Sequence, residues 1–131
     1  MIQANQVLDM LVQVCPTFER ERNEHVASYG NDVLYVAAGA FAHHLLVLQL
    51  KGATSCFASV GNTIELMHTD GVPEVKELAT IGLLEGIQNV WGHSTTNPDV
   101  FLQYLGPASL NWWHALNNFW SGKATGVRSG A

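Results

Sequence analysis

Apolar residues along this chain recur mainly at the three- and four-residue spacing of an amphipathic helix, and alternating strand-like patterns do not recur. The spacing predicts a helix over residues 3–15, which Pro16 ends. A short charged helix is expected over residues 17–30, where charges of both signs indicate a solvated face. The positions that define the first helix are Ala4, Val7, Leu8, Leu11 and Val12.

Two segments are apolar on most sides and are therefore predicted to form the central helices of the fold. The first spans residues 33–51, with Asp32 as its N-terminal cap and Gly52 as its C-terminal stop. The second spans residues 73–92 and begins with a proline at a first-turn position. A further helix over residues 54–71 lies between them. Its apolar stripe is formed by Phe57, Val60, Ile64 and Met67.

The rest of the chain predicts two more helices. Residues 97–99 (Asn-Pro-Asp) supply a cap for a short helix over residues 100–105, and Gly106-Pro107 begins the last helix. The chain is thus predicted to be all-α, with a single domain over residues 1–122. About six or seven helices would form an antiparallel bundle or a HEAT-like array. Residues 123–131 are small and polar, and we expect them to form a flexible C-terminal tail.

Composition narrows the class of protein. A chain of 131 residues, 47% of them apolar, can bury a core without disulfides or metal. Charged residues make up only 13%, below the usual quarter or so, which leaves room for a contact surface. The net charge of −5 and the lack of a basic stripe exclude nucleic acid as the expected partner. An acidic protein suits a basic protein partner, although modest acidity also serves solubility.

The expected location is the cytoplasm, because the first residues lack the basic and hydrophobic regions of a signal peptide. Residues 33–50 have about the length of a membrane span. Two histidines and a glutamine interrupt them, so a buried helix is the preferred interpretation. Cys15 and Cys56 lack a metal-ligand spacing. They fit two buried thiols in a reducing compartment, or one disulfide in an oxidising compartment.

The strongest candidate for chemistry is the pair Glu65 and His68, whose spacing places both side chains on one helical face. Ferritin-like carboxylate sites use two such pairs and two further glutamates. Only one pair occurs here, with Glu85 as a candidate third ligand, and a helix C-terminus explains His68 equally well. No nucleophile elbow, phosphate loop or zinc spacing occurs. We therefore assign no catalytic, cofactor-binding or metal-binding residue, and expect a protein that is not an enzyme.

Glu85 is the only charged residue between Glu77 and Asp99, and its helix is otherwise apolar. A carboxylate buried alone is costly, so it must find hydrogen-bond donors, reach water or take up a proton. We predict a structural role in which Glu85 accepts hydrogen bonds from a neighbouring helix end, from Asn89 or from a histidine.

The last predicted helix carries more aromatic area than one helix of a small domain usually buries. Trp113, Leu116 and Trp120 form one stripe, with Trp112 and Phe119 beside it. Two interpretations are open. Either another part of the fold covers the second set, or that set is an exposed aromatic anchor for a protein partner.

Three stretches of the chain resemble a known family. They are residues 34–45 (LYVAAGAFAHHL), residues 79–89 (ATIGLLEGIQN) and residues 104–109 (YLGPAS), the last of which is followed by an aromatic residue, Trp113. The family consists of small bacterial all-helical proteins of unknown function, members of which occur as candidate immunity proteins in toxin–immunity loci. At Gly86 the chain departs from the polar residue expected after the glutamate, so a contact at that position does not carry over.

The resemblance implies an immunity protein that binds and neutralises a cognate secreted toxin by direct contact. A basic toxin would match the acidic charge of the chain. Two alternatives are a ferritin-like or other metal-binding helical enzyme built on Glu65, His68 and Glu85, and a helical scaffold protein. The candidate partner-binding residues are Glu65, Asp70, Glu74, Glu77 and Trp112.

Overall fold

The predicted helices are found in a computed structural model, which describes residues 1–120. These residues form one all-α domain, as predicted, and the predicted tail over residues 123–131 lies outside them. The seven α-helices of the described chain are α1 (Val7–Val14), α2 (Glu19–Tyr29), α3 (Leu34–Leu50), α4 (Phe57–Asp70), α5 (Pro73–Glu77), α6 (Glu85–Gly92) and α7 (Pro107–Trp120). The 3₁₀ segments Ala4–Gln6, Pro16–Phe18 and Pro98–Tyr104 precede α1, α2 and α7.

A π-helical segment, Leu78–Leu84, joins α5 to α6 and makes one continuous helix from Pro73 to Gly92. The most extensive helix–helix contact in the fold is the one between this helix and α3. The two central helices are therefore those that the apolar pattern predicted. Two glycines permit their close approach: a Cβ at Gly82 would lie 3.1 Å from the Cβ of Ala38, and one at Gly86 would lie 3.4 Å from the Cβ of Ala42.

The start of α3 differs from the prediction. Asp32 does not cap the helix, because the residue at the N-cap position is Val33, which adopts the left-handed conformation with φ 53° and ψ 46°. This conformation is unfavourable for a β-branched residue. The backbone carbonyl of Asp32 instead accepts a hydrogen bond from His25 Nε2 at 2.8 Å, which fixes the turn between α2 and α3.

An aromatic cluster fills the corner between α4, α6 and the 3₁₀ segment Pro98–Tyr104. Phe57, Trp91, Phe101 and Tyr104 lie with ring centroids 5.3–6.3 Å apart. The backbone of Tyr104 lies directly on Gly61 of α4, where a Cβ would come within 1.9 Å of the Tyr104 carbonyl oxygen. This contact anchors the chain that leads into α7.

The start of the chain is held against the corner between α4 and α5. The Ile2 N–H donates to the Asp70 carbonyl at 2.8 Å, and the Val72 N–H donates to the Ile2 carbonyl at 3.0 Å. Within the described residues, none of the helices combines the length and the apolar character needed to cross a membrane.

Candidate functional site

An open groove of about 320 Å³ lies between α5, the π-helical segment and α7. Two residues predicted to bind a partner, Glu77 and Trp112, both line it although they are 35 positions apart in sequence. The groove thus joins an acidic side chain to a half-buried tryptophan. Its complete lining is His68, Lys76, Glu77, Thr80, Ile81 and Trp112.

The π-helical segment shapes one wall of this groove. The Glu85 N–H donates to the Thr80 carbonyl five residues earlier, where an α-helix would use a partner four residues away. The widened turn directs two adjacent side chains, Thr80 and Ile81, into the groove lining. Such turns are frequent at functional sites.

Polar contacts around His68 form the floor of the groove. His68 Nδ1 lies 2.9 Å from Ser109 Oγ, and His68 Nε2 lies 2.8 Å from Thr80 Oγ1. Burial lowers the pKa of His68 to about 4, although the Glu65 carboxylate and the Ile64 carbonyl act in the opposite direction. His68 is therefore neutral at pH 7. This histidine links α4 to both the π-helical segment and α7.

Glu65 caps the N-terminus of α7. Its carboxylate accepts hydrogen bonds from the N–H of Ala108 at 3.0 Å, from the N–H of Ser109 at 2.9 Å and from Ser109 Oγ at 2.9 Å. Burial by itself raises the pKa of Glu65, but the hydrogen bonds from Ser109 and Ala108 outweigh this effect and leave the pKa below its ordinary value. A Cβ at Gly106 would lie 2.6 Å from the Glu65 Cδ, so glycine makes room for this cap.

These contacts also determine which atom donates and which accepts in the hydrogen bonds of His68. Since the Ser109 hydroxyl donates to Glu65, its oxygen accepts from the Nδ1–H of His68. The Nε2 atom then accepts from the Thr80 hydroxyl. We call the chain Glu65, Ser109, His68 and Thr80 the polar network. Glu65 and His68 therefore serve to join helices, and neither keeps a free ligand atom.

The predicted third ligand, Glu85, does not join them. It begins α6, and burial raises its pKa. The predicted hydrogen bonds to Glu85 are not formed: within residues 1–120 no side chain, Asn89 and the histidines included, donates to its carboxylate. The hydrogen bonds from a neighbouring helix end that were predicted for Glu85 are accepted instead by Glu65. Across the same residues, no group of three or more His, Cys, Asp or Glu is placed to hold a metal ion.

The predicted acidic contacts Asp70, Glu74 and Glu77 are all exposed, and among them Glu77 lines the groove. Glu74 and Glu77 are exposed on α5, and Asp70 is exposed at the end of α4. Tyr35 of α3 lies close to this surface: burial raises its pKa, and the charges of Glu77 and Glu74 raise it further. The Tyr35 ring also covers Gly82, at 3.5 Å from an added Cβ. Glu74 and Glu77 therefore lie near Tyr35, and Glu77 also shares the groove lining with Trp112.

The aromatic residues of α7 divide between core and surface. Trp113 and Leu116, two members of the predicted stripe, are fully buried. Trp120, the third member of that stripe, is 58% exposed, and Phe119 is 36% exposed. Trp112 is half-buried in the groove wall. Trp113 thus belongs to the hydrophobic core, and its neighbour Trp112 belongs to the candidate site.

Sequence reasoning missed Thr80, Ser109 and Ile81. Ser109 and Thr80 contact His68 from positions 41 and 12 residues away, and neither residue type stands out in a helical segment. The position of Ile81 depends on the π-helical turn, for which the local sequence has no recognised signal.

A comparison with protein families matches residues 8–121 of the chain to the model of a domain of unknown function, DUF7674, and the chain belongs to this family. Neither a curated protein nor a solved structure matches the chain. The resemblance to a family of unknown function is therefore confirmed at that level.

Proposed function

We propose that this chain is an immunity protein that binds a cognate bacterial toxin in the cytoplasm and blocks it by direct contact. The proposed contact surface is the groove between α5, the π-helical segment and α7, together with the exposed Asp70 and Glu74 beside it. The observation that carries the proposal is that Glu77 and Trp112 line one open groove. The resemblance of the chain to candidate immunity proteins supplies the class of partner.

Charge favours a basic partner. Residues 57–120 carry six carboxylates but a single basic side chain, Lys76. Three of the six, Asp70, Glu74 and Glu77, are exposed on α4 and α5, and Glu77 lines the groove. Complementary charge at the edge of an interface chiefly accelerates association and selects partners. An acidic surface of this kind suits a toxin whose working surface carries arginine and lysine.

The apolar part of the groove supplies the anchor that a tight complex needs. Trp112 and Ile81 line the groove, and Tyr35 lies near Glu77. Tryptophan and tyrosine dominate interface hot spots because they remove much apolar area from water while keeping a polar atom for hydrogen bonding. An interface of about 1,200–2,000 Å² centred on such residues is sufficient for strong inhibition.

The geometry gives less support to the metal-binding enzyme. Glu65 and His68 have their polar atoms occupied by Ala108, Ser109 and Thr80, and Glu85 stands apart from them. Ser109 is fully buried beneath the groove, so its hydroxyl is not accessible to a substrate. These residues hold the groove in shape, which is what a binding protein requires.

Co-expression with the toxin encoded by the neighbouring open reading frame tests the proposal. We expect the wild-type chain to restore growth, and the two purified proteins to form a stable complex in size-exclusion chromatography. Failure of rescue by a soluble, folded protein, with no complex in vitro, would refute the immunity function.

Two variants test the surface within that experiment. Trp112→Ala should raise the Kd by at least about thirtyfold, as expected for an aromatic hot spot of about 2 kcal/mol. Glu77→Lys should slow association and weaken its dependence on salt. The matched controls are Trp120→Ala, an exposed tryptophan outside the groove lining, and Glu24→Lys, an exposed glutamate on α2. If each variant behaves like its control while the complex still forms, the toxin binds another surface.

A further inference from the structure

Cys15 and Cys56 are free thiols whose sulfur atoms lie 3.4 Å apart. Cys15 follows the last turn of α1, and Cys56 precedes the first turn of α4. A disulfide bond needs a sulfur–sulfur distance of about 2.05 Å, so the sulfurs must approach by roughly 1.4 Å, which side-chain rotation can supply. The chain separates them by 41 positions, and the fold alone brings them together.

We propose that Cys15 and Cys56 are a disulfide-forming pair, which closes when the folded protein meets a low-molecular-weight disulfide such as oxidised glutathione. The bond would join the end of α1 to the start of α4. This assignment concerns a modification site and is independent of the proposed toxin contact.

The two sulfurs differ in accessibility, and this difference sets the order of events. Cys15 is fully buried, whereas Cys56 is half-buried. Cys56 first loses its proton to solvent, and its thiolate attacks one sulfur of the small disulfide. The disulfide's own S–S bond breaks, a mixed disulfide forms on Cys56, and the first small thiolate leaves and takes up a proton from water. The Cys15 sulfur then attacks the Cys56 sulfur, the Cys15–Cys56 bond forms, and the second small thiolate leaves. The protein loses two electrons and two protons, and the small disulfide is reduced to two thiols.

A short chain of polar atoms offers a path for the Cys15 proton. Cys15 Sγ lies 3.7 Å from Thr17 Oγ1, which lies 2.8 Å from His44 Nε2. The titratable or charged groups near His44 are Glu21 of α2, with Oε1 4.0 Å from Nδ1, His43 of α3, and Lys51, which follows the end of α3. Burial lowers the pKa of His44. The ring is therefore neutral at pH 7 and able to accept a proton.

The rate of closure should be low at neutral pH. Burial, together with the hydrogen bond to Cys15, raises the pKa of Cys56 to about 12, so the nucleophilic thiolate is scarce. Closure is thus expected over hours at pH 8 and faster at higher pH. Such a pair behaves as a slow structural bond formed under oxidising conditions, and not as a fast peroxide sensor.

The test is incubation of the native chain with excess oxidised glutathione at pH 8, followed by intact-mass measurement and thiol titration under denaturing conditions. We expect a monomer that has lost two hydrogens and both titratable thiols. A urea-unfolded sample shows that the reagent oxidises accessible thiols. A native protein that keeps two thiols while the unfolded sample oxidises, or that stops at a glutathione adduct, would overturn the proposal.

Single variants test the order of attack. Cys15→Ser should accumulate a stable glutathione adduct on Cys56, because no second sulfur displaces it. Cys56→Ser should remain unmodified, because Cys15 is buried. An adduct on Cys15 in the folded Cys56→Ser protein would reverse the assigned order.

Thr17→Val tests the proton path, since it removes the hydroxyl from an exposed position and leaves both thiols in place. We expect the mixed disulfide to persist about tenfold longer at pH 7, with the same final yield of disulfide. The difference from the wild-type chain should vanish at pH 9, where solvent hydroxide removes the proton. An unchanged lifetime at pH 7 would exclude the Thr17–His44 path.

Discussion

Removing the carboxylate charge of Glu65 should destabilise the fold more than removing any exposed carboxylate. The carboxylate accepts three hydrogen bonds from the first turn of α7, at 2.9–3.0 Å. Hydrogen bonds to a charged group contribute about 1.5–3 kcal/mol each when buried, and loss of a helix cap costs about 0.5–2 kcal/mol. Because Glu65 is only half-buried, we expect about 1–2 kcal/mol for Glu65→Gln and about 2–4 kcal/mol for Glu65→Ala.

Urea unfolding followed by circular dichroism measures this effect. With a slope of about 2 kcal/mol per molar urea, Glu65→Gln should lower the midpoint by roughly 0.5–1 M. Glu77→Gln is the matched control, since this exposed carboxylate on α5 accepts no hydrogen bond within residues 1–120. Its free energy of unfolding should stay within about 0.5 kcal/mol of the wild-type value.

The pH dependence provides a second check on Glu65. Its pKa is lower in the folded protein than in the unfolded chain, so its contribution is complete above the unfolded pKa. The contribution is lost as the pH falls through the folded pKa. The difference in unfolding free energy between the wild-type chain and Glu65→Gln should therefore be constant near pH 7 and shrink below about pH 4.5. Equal stability of Glu65→Gln and Glu77→Gln at pH 7, or a difference that does not shrink as the pH falls below about 4.5, would refute the cap.

Three further predictions concern a pair of glycine substitutions, a pair of valine substitutions and the oxidation of the two thiols. Gly61→Ala should destabilise the protein by at least about 3 kcal/mol in urea unfolding, because the added Cβ would collide with the backbone of Tyr104. In Gly39→Ala the added Cβ has no atom within 4 Å, so this substitution should stabilise the protein by up to about 1 kcal/mol. Equal effects would mean that the α4 contact is looser than described. Val33→Gly should raise the melting temperature by relieving the left-handed conformation, while Val36→Gly in the helix that follows should lower it. A fall for both would show that the strain is absent. The disulfide form should unfold with a free energy up to about 4 kcal/mol higher than the reduced form, since it closes a loop of about forty residues. No increase would indicate that the bond distorts the native packing.

The fold was predictable wherever the signal was local. The apolar runs of α3 and of the helix from Pro73 to Gly92 identify these two as the central helices, and the structure shows that they make the most extensive contact. The turn before α3 was not predictable in the same way. Asp32 is a good capping residue by type. In the fold, however, His25 holds the Asp32 carbonyl and Val33 takes the N-cap position, so the contact between α2 and the turn overrides the local preference of Asp32.

The candidate site was predictable only in part, because its parts come from distant positions. Acidic and aromatic residues suggested Glu77 and Trp112 separately, and only the fold places them in one groove. Glu65 and Glu85, by contrast, were grouped by the sequence as possible ligands of one site, and the fold gives them separate roles. Both are carboxylates within helices that carry an apolar stripe, and the sequence does not show which one reaches a helix N-terminus.

Under the proposed function, the polar network would let Glu65 act on partner binding through the shape of the groove, without touching the partner. Glu65 fixes Ser109, and Trp112 follows Ser109 by one helical turn on the same face of α7. At the other end of the network, His68 holds Thr80, which is adjacent to Ile81 in the π-helical wall. Loss of the Glu65 carboxylate should therefore widen the groove and speed dissociation of a bound partner. A direct charge contact such as Glu77 should instead change the association rate and its dependence on salt, because long-range attraction acts before the complex forms.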